Sequence, residues 1–368
     1  MLQLLLGGSG SGKTTLLYQR IRARAEKGEK SILLVPEQFT SSTEGRIYRE
    51  LGDALSGMVE SFSFTSLAEK ILSTEGGAAV QTLSDAGRAV LVRRALEELQ
   101  DNVHYYHRHR RSAAFCQMAA QTIDELKSAG LSGQQLAQLA GACGAESGKL
   151  SELALIFQGY ETLLARSGMD PSDRLELAGA RLEEALARHS LPEFLRDRAV
   201  FIDEFDTFNA PKKRLLGAML AALPSVTVAL CDDGAPLLPG DLSLFSGAKQ
   251  VAAQLRQLAR KNGAEVAVPQ LLRKDLRHRN APGLAAVTEL LETGSCTADA
   301  PAGEVRLFAA PSREEEARAA AGAIRRLMRQ GVRCGKIAVV CRDIAKYRAA
   351  VRYEFRMAEI PLYCDEPS

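Results

Sequence analysis

A glycine-rich segment near the amino terminus has residue types and spacing suited to binding phosphate. In chain order it contains Gly7, Gly8, Ser9, Gly10, Ser11, Gly12, Lys13, Thr14 and Thr15. Glycines let successive backbone N–H groups curl around an anion, and the start of a following helix adds partial positive charge. A lysine at the end of such a loop reaches the β- and γ-phosphates of a nucleotide, and the next hydroxyl ligates Mg²⁺. We therefore predict a nucleoside triphosphate site.

The flanking residues favour this interpretation over a simple turn rich in glycine and serine. An apolar run at 2–6 precedes the loop, and a helical pattern at 15–21 follows it. A phosphate loop requires this order of strand, loop and helix. We predict that the loop amides and Lys13 bind phosphate, and that Lys13 also acts in catalysis.

Two carboxylates end a second apolar run and complete the predicted site. Asp203 and Glu204 follow the run at 199–202. In enzymes with a phosphate loop, the first acid of such a pair holds Mg²⁺ and the second orients or deprotonates the attacking water. We therefore predict Thr14 and Asp203 as magnesium ligands and Glu204 as the catalytic base. The alternative is an acidic strand end that only faces solvent.

Composition limits the class of protein. The chain has 368 residues, a formal net charge of +2 and seven scattered cysteines. This length suits two or three domains, and the charge requires any nucleic-acid surface to be a local patch. Cysteines without paired spacing favour reduced thiols in a cytoplasmic protein over a disulfide or zinc framework. No apolar stretch approaches the ~18 residues of a membrane span.

The apolar pattern changes along the chain. Runs at 30–36, 58–64, 199–203 and 226–230 predict buried strands of an α/β fold with a parallel sheet. Between them, apolar residues at 84–198 recur at helical spacing, which predicts an all-helical insertion. A Gly/Ala/Pro-rich linker is predicted at 294–303. Beyond it we predict strands at 304–309 and 337–341 and helices at 313–330 and 344–358, the opening of a second α/β unit that the sequence does not complete.

Several segments resemble superfamily 1 DNA helicases of the UvrD/RecB type. Residues 203–207 (Asp-Glu-Phe-Asp-Thr) are similar to a motif of that family, as are the strand and acidic turn at 226–234. The segments 276–282 and 304–363 are similar to later motifs and to the start of the second motor domain. The resemblance covers nearly the whole chain, and the helical insertion falls where that family carries one.

Within this group the sequence is most similar to the AddB family of helicase–nuclease subunits. The chain starts directly at the phosphate-loop strand, without an upstream adenine-binding glutamine. Val35-Pro36-Glu37-Gln38 resembles a recurrent signature of that family, and residues 61–68 resemble the element that follows it.

The resemblance implies a domain organisation. It assigns a first RecA-like motor domain to residues 1–83 and 199–293, the helical insertion to 84–198, and the start of a second RecA-like domain to 304–368. The rest of the second motor domain and a nuclease domain with an iron–sulfur cluster would lie beyond this sequence.

The resemblance also implies a function. The chain would bind ATP, Mg²⁺ and DNA, and it would pair with an AddA-type subunit to process double-strand breaks for homologous recombination. The AddB half of such a complex recognises the Chi hotspot.

Six residues are predicted to contact DNA because related helicases use polar side chains after these strands. They are Gln38, Thr40, Thr65, Ser66, Arg277 and Arg279. A helix cap would explain Thr65 or Ser66 equally simply.

The motifs also depart from those of a working motor. Asp206 stands where active helicases carry a glutamine that couples nucleotide to DNA. Two alternatives therefore remain open: an active UvrD-like translocase, and a scaffold that does not hydrolyse ATP.

A basic and aromatic cluster lies inside the insertion. Residues 104–111 read His-Tyr-Tyr-His-Arg-His-Arg-Arg. Arginine favours phosphate, and bases stack on tyrosine or histidine, so DNA contact is one interpretation. A solvated loop and a metal site formed by the three histidines are the others.

Overall fold

Six parallel strands form the sheet at the centre of the larger of two units. The computed structural model describes residues 1–77, 82–144, 147–296 and 304–365. The chain divides into a first unit, 1–297, and a second unit, 298–368. The strands of the first unit are β1 (Leu2–Gly7), β2 (Ser31–Leu34), β3 (Val59–Phe62), β4 (Ala199–Ile202), β5 (Ser225–Cys231) and β6 (Gln270–Leu272). Their order is β3-β2-β4-β5-β1-β6, and every neighbouring pair is parallel.

Helices account for most of the remaining chain. Before the insertion they are α1 (Lys13–Ala25), α2 (Thr40–Leu51), α3 (Asp53–Ser56) and α4 (Phe64–Glu75). The next five are α5 (Asp85–Glu98), α6 (Ala113–Ser128), α7 (Gly133–Ala140), α8 (Ser147–Ser167) and α9 (Pro171–Ala187). The last helices are α10 (Ala210–Ala222), α11 (Ser246–Lys261), α12 (Pro282–Thr293), α13 (Arg313–Arg329) and α14 (Ile344–Met357).

Both faces of the sheet are covered, as a parallel sheet requires. Leu4 and Leu6 of β1 pack in a core that includes residues of α4, α9, α10 and α11. Leu5, between them, packs in a second core with residues of α1 and α2. Successive side chains of a strand point to opposite faces, so continuous apolar runs supply both cores. The predicted α/β fold with a parallel sheet is confirmed.

The strand order brings separate chain segments to one edge. All six strands run in the same direction, so the segments that follow them emerge at their carboxyl ends. The glycine-rich segment 7–15, which we call the phosphate loop after its predicted role, begins at the end of β1, and the acidic pair Asp203 and Glu204 follows β4. Ligands of open α/β sheets bind at this edge.

The insertion is helical, and most of it has its own core. Helices α5, α6 and α8 surround buried residues such as Phe157 and Tyr160. Helix α9, in contrast, packs with α4 and α10 in the core of the sheet, and Arg174 on α9 pairs with Glu69 on α4. The proposed bounds of 84–198 for the insertion stay a prediction.

The second unit consists mainly of α13 and α14. Ile324 of α13 and Phe355 of α14 pack together with Ile360, which follows α14. The strands predicted at 304–309 and 337–341 are wrong: within 304–365 neither stretch forms a backbone ladder. An apolar run becomes a strand only with a neighbouring strand to pair with, and here Leu307 and Val340 are exposed.

Part of the predicted linker at 294–303 lies outside the described residues, as do 366–368 at the end of the second unit. In the described portion of the chain, no helix has the length and apolar character needed to cross a membrane.

Candidate functional site

The phosphate loop connects β1 to α1 through a tight, glycine-dependent path. Gly10 and Gly12 have φ values of 80° and 91°, in the left-handed region. A Cβ atom on Gly10 would lie 2.7 Å from Cβ of Arg277. Glycine is therefore required at Gly10 for both conformation and space.

Lys13 folds back over the loop. Its Nζ donates hydrogen bonds to the carbonyl oxygens of Gly7, at 2.7 Å, and Gly8, at 2.8 Å. Burial lowers the pKa of the Lys13 ammonium group. Nearby, Ser11 Oγ is buried and has no hydrogen-bond partner among the described residues. The loop therefore holds a desolvated cation and an unsatisfied hydroxyl, both of which suit an anionic ligand.

Asp203 is the buried member of the acidic pair. It is 6 % exposed, and its N–H donates to the carbonyl of Leu34 at 3.1 Å, which continues the pairing of β2 and β4. Burial raises the pKa of its carboxyl group, although the neighbouring Thr14 hydroxyl favours the charged form. The structure thus places the two predicted magnesium ligands on the same cavity.

Glu204 lies at a sharp turn after Asp203. Its φ of 64° is in the left-handed region, and its N–H donates to Asp203 Oδ1 at 3.0 Å. It remains accessible to solvent. Partial desolvation and the adjacent charge of Asp203 raise the pKa of Glu204. A carboxylate with a raised pKa and access to solvent can act as a base toward water.

One cavity of about 540 Å³ brings these groups together. Ser9, Gly10, Gly12, Lys13, Thr14 and Thr15 line it on the loop side, and Asp203 and Glu204 line it on the side of β4. Most of the residues that the sequence assigned to nucleotide and magnesium therefore lie around a common space, although Thr14 and Asp203 are 189 positions apart in the chain. Gly7, Gly8 and Ser11 line a neighbouring cavity.

A segment after β6 supports the loop from outside. The N–H of Leu276 donates to the carbonyl of Gly10 at 3.0 Å, and Arg277 Nη1 donates to Ser9 Oγ at 3.1 Å. Asp275 accepts hydrogen bonds from the N–H groups of Arg277 and His278 and pairs with the His278 ring. Arg277, predicted as a DNA contact, thus lies on the phosphate loop and lines the cavity.

Arg46 on α2 also lines the cavity and was missed in the sequence. Its guanidinium lies 4.9 Å from the ring centroid of Tyr18, and burial raises the pKa of Tyr18 to about 12. Its position in α2 was the available sequence signal for Arg46. It lies between Thr43 and Ile47, which are both buried in this helix. Asp275 was missed for another reason, since only the tertiary fold brings it to the loop.

The other predicted DNA contacts follow β2, β3 and β6. Gln38 is exposed after β2, and the Thr40 hydroxyl donates to the carbonyl of Glu37 at the start of α2. Ser66 forms a reciprocal capping box with Ser63 at the start of α4, while Thr65 is exposed. Arg279 is exposed after β6. The helix-cap interpretation thus explains Ser66, and the DNA contacts stay predictions.

The site fits a nucleotide with Mg²⁺ better than a metal held by protein alone. Among the described residues, no group of three or more His, Cys, Asp or Glu side chains could hold a metal ion. Mg²⁺ is commonly bound by one or two protein ligands together with substrate phosphates and water. Thr14 and Asp203 would be those ligands here.

A protein-family model matches most of the chain. Residues 4–288 match the model of the family described as ADDB, N-terminal. The chain belongs to this AddB family.

Similar proteins extend the match over nearly the whole chain. Proteins from Desulforudis audaxviator, Symbiobacterium thermophilum and Moorella thermoacetica are 34 %, 32 % and 32 % identical over 99 % of the chain. Each is named as the B subunit of an ATP-dependent helicase/deoxyribonuclease, and the match covers 32 % of its length. The chain thus spans about a third of the length of these relatives.

Proposed function

We propose that this chain is the ATP- and DNA-binding part of an AddAB-type helicase/exonuclease subunit that processes DNA double-strand breaks. Membership of the AddB family supports this role. The observation that carries the proposal is the single cavity that the phosphate loop and the acidic pair share.

The residues assigned to nucleotide, magnesium and water have distinct roles in this proposal. The amides of Gly7–Thr15 and Lys13 bind the phosphates, and Thr14 and Asp203 hold Mg²⁺. Bound Mg²⁺ supplies charge neutralisation at the phosphates. Glu204 orients or deprotonates the attacking water, and Arg277 adds a cation at the loop.

The remaining parts of the proposal concern the whole protein. Gln38, Thr40, Thr65 and Arg279 would contact single-stranded DNA, and the helicase-like half would recognise Chi. An AddA-type subunit would be the partner, and the complex would act in the cytoplasm. The name of the relatives, which describes one subunit of a helicase/deoxyribonuclease, supports this assignment.

The nucleotide assignment is tested by measuring ATP–Mg affinity for Lys13→Ala and for Lys27→Ala, an exposed lysine beyond α1. Charge-assisted hydrogen bonds contribute about 1.5–3 kcal/mol. We therefore expect Lys13→Ala to bind ATP at least about tenfold more weakly and Lys27→Ala to bind as the unchanged chain does. Equal affinity in all three proteins would overturn the site.

A second measurement separates the alternatives. The exposed acid Asp206 lines the cavity where an active motor would carry a glutamine, and this favours weak hydrolysis. Strong DNA-stimulated ATP turnover by the full-length subunit alone would support the UvrD-like translocase. ATP binding without turnover, in the subunit alone and in complex with its partner, would support the scaffold.

A further inference from the structure

The loop between α5 and α6 presents a basic and aromatic surface to solvent. We call residues 104–111 the basic loop. Six of its eight residues are exposed, namely His104, Tyr105, His107, Arg108, His109 and Arg111. Tyr105 is 58 % exposed, so its ring is accessible to a ligand.

A buried carboxylate fixes the backbone of this loop. Glu152 on α8 is 8 % exposed, and it accepts hydrogen bonds from three consecutive N–H groups. His104 N–H donates to Oε1 at 2.8 Å, Tyr105 N–H to both oxygens at 2.9 Å, and Tyr106 N–H to Oε2 at 3.2 Å. Successive amides that converge on one anion form a rigid nest. The loop is therefore ordered before it meets any ligand.

Two rings of the loop pack against Phe115 of α6. The Tyr106 ring stacks on Phe115 with centroids 5.3 Å apart, and the His109 ring lies 5.7 Å from it. Because Tyr106 and Phe115 adjoin the core of the insertion, these contacts anchor the inner side of the loop.

The solvent-facing side of the basic loop presents an aromatic ring close to positively charged side chains. The Tyr105 ring lies against Gly148 of α8, and Lys149 Nζ is 5.7 Å from the ring centroid. Arg108 and Arg111 are both exposed on the same loop. The histidines do not form a metal site, because no such group of three occurs in the described part of the chain.

We propose that the basic loop is a binding site for single-stranded nucleic acid. Arg108, Arg111 and Lys149 bind phosphates, and a base stacks on the exposed ring of Tyr105. Arginine forms two parallel hydrogen bonds to a phosphate, and stacking on a tyrosine requires an unpaired base. The surface belongs to the insertion and shares no residue with the nucleotide site or with the contacts predicted at the sheet edge, so it adds a second DNA surface to the proposed function and is tested by its own variants.

Binding of a fluorescent oligothymidylate of about twenty nucleotides to the 368-residue chain tests the proposal. The first comparison is between the double variant Arg108→Gln/Arg111→Gln and the control double variant Arg93→Gln/Arg94→Gln. The two control arginines are exposed on α5, and their replacement removes the same charge. Each of them already pairs with a glutamate at 3.1 Å. The second comparison is between Tyr105→Ala and Tyr105→Phe. The affinity of every variant for a duplex of equal length is measured in parallel.

We expect the loop double variant to bind the single strand about tenfold more weakly, with a salt dependence reduced by about 1.4 in logarithmic slope, since each phosphate contact contributes about 0.7. Tyr105→Ala should lose roughly fivefold or more while Tyr105→Phe binds normally, because stacking uses the ring and not the hydroxyl. An equal loss in the α5 control pair would overturn the proposal. A loss confined to duplex DNA, or equal binding by the two Tyr105 variants, would overturn the assignment to single strands.

Discussion

Asp203 is buried at the centre of the candidate site, and burial opposes its charge. The pKa of its carboxyl group is raised by burial, although the N–H of Glu204 donates a hydrogen bond to it and the nearby Thr14 hydroxyl favours its charged form. The folded protein therefore binds a proton at a higher pH than the unfolded chain does. Stability from this group is lost as the pH rises through the raised pKa. A ligand site commonly retains such a cost because the charge is needed for binding.

Asp203→Asn is therefore expected to raise the thermal midpoint at neutral pH while it weakens ATP–Mg binding. The rise should be a few degrees, since about 1 kcal/mol shifts the midpoint of a large domain by roughly 2–4 °C. The difference from the unchanged chain should shrink as the pH falls toward the ordinary aspartate value of about 3.9. Calorimetry across this pH range checks the expectation, with exposed Asp206→Asn as the control. A lower midpoint in Asp203→Asn at pH 7 would contradict it.

Gly10 offers a sharper test of the loop itself. Gly10→Ala places a methyl group 2.7 Å from Cβ of Arg277 in a backbone with φ of 80°. We expect this change to weaken ATP binding at least about tenfold and to cost about 1–3 kcal/mol of stability. Gly45→Ala is a matched control, because Gly45 lies in α2 with no atom within 4 Å of its added Cβ. That change should stabilise the folded protein by about 0.5–1 kcal/mol. Titration with chemical denaturant measures the stability of both variants. Equal stability of the two variants would count against the loop geometry.

Some of the candidate site could be predicted from sequence because its residues are local signals. The phosphate loop is contiguous, and the acidic pair ends an apolar run. Arg46 and Asp275 could not be found in the same way. Arg46 reaches the cavity from α2, and Asp275 supports the phosphate loop from the chain after β6, so the role of each depends on tertiary packing.

At the scale of elements, the strands that were predicted are those buried on both faces. β2 and β4 are fully buried and pair along their length, so composition alone marks them. β6 was missed because it has only three residues, all half-buried, and begins with Gln270. The opposite error occurred at 337–341, where an apolar run has no paired strand beside it. Composition indicates a tendency to form a strand, whereas pairing depends on a partner that local sequence does not contain.

The start of α9 depends on a buried polar network. Asp170 is 1 % exposed and caps the helix by accepting the N–H of Asp173 at 3.0 Å. It also accepts from Lys127 Nζ at 2.8 Å and from the Tyr160 hydroxyl at 3.3 Å. Burial works to raise the pKa of Asp170, but the hydrogen bond and charge of Lys127 outweigh it and lower that pKa.

Asp170→Ala is expected to lower the free energy of unfolding by about 3 kcal/mol. It removes a helix cap, which is worth about 1 kcal/mol, and leaves Lys127 with a weaker set of partners in a largely buried position. Urea titration measures the loss, and exposed Asp101→Ala should change stability by less than about 0.5 kcal/mol. An effect of similar size in both variants would show that the network does not hold α9 in place.

At the scale of the first unit, the residues proposed to bind nucleotide and those predicted to contact DNA share one edge of the sheet. Helix α2 connects the two groups. It begins at Thr40, a predicted DNA contact, and Arg46, less than two turns further along, lines the cavity with Asp203 and Glu204. Bound nucleotide and Mg²⁺ would change the charge that Arg46 faces, and this change acts on the helix that carries Thr40.

We therefore expect ATP–Mg and single-stranded DNA to alter each other's affinity, and we expect Arg46→Ala to remove most of this coupling. Coupling between two sites is reciprocal and typically corresponds to about 5–150-fold. The unchanged chain should show at least about fivefold, whereas Arg46→Ala should fall to about twofold or less. Arg22→Ala is the control because Arg22 is exposed on α1, where it pairs with Glu26. The affinity for DNA is measured with and without ATP–Mg, and the affinity for ATP is measured with and without DNA. Each of the two comparisons gives the coupling independently. Undiminished coupling in Arg46→Ala would mean that α2 does not connect the two sites through the charge of Arg46.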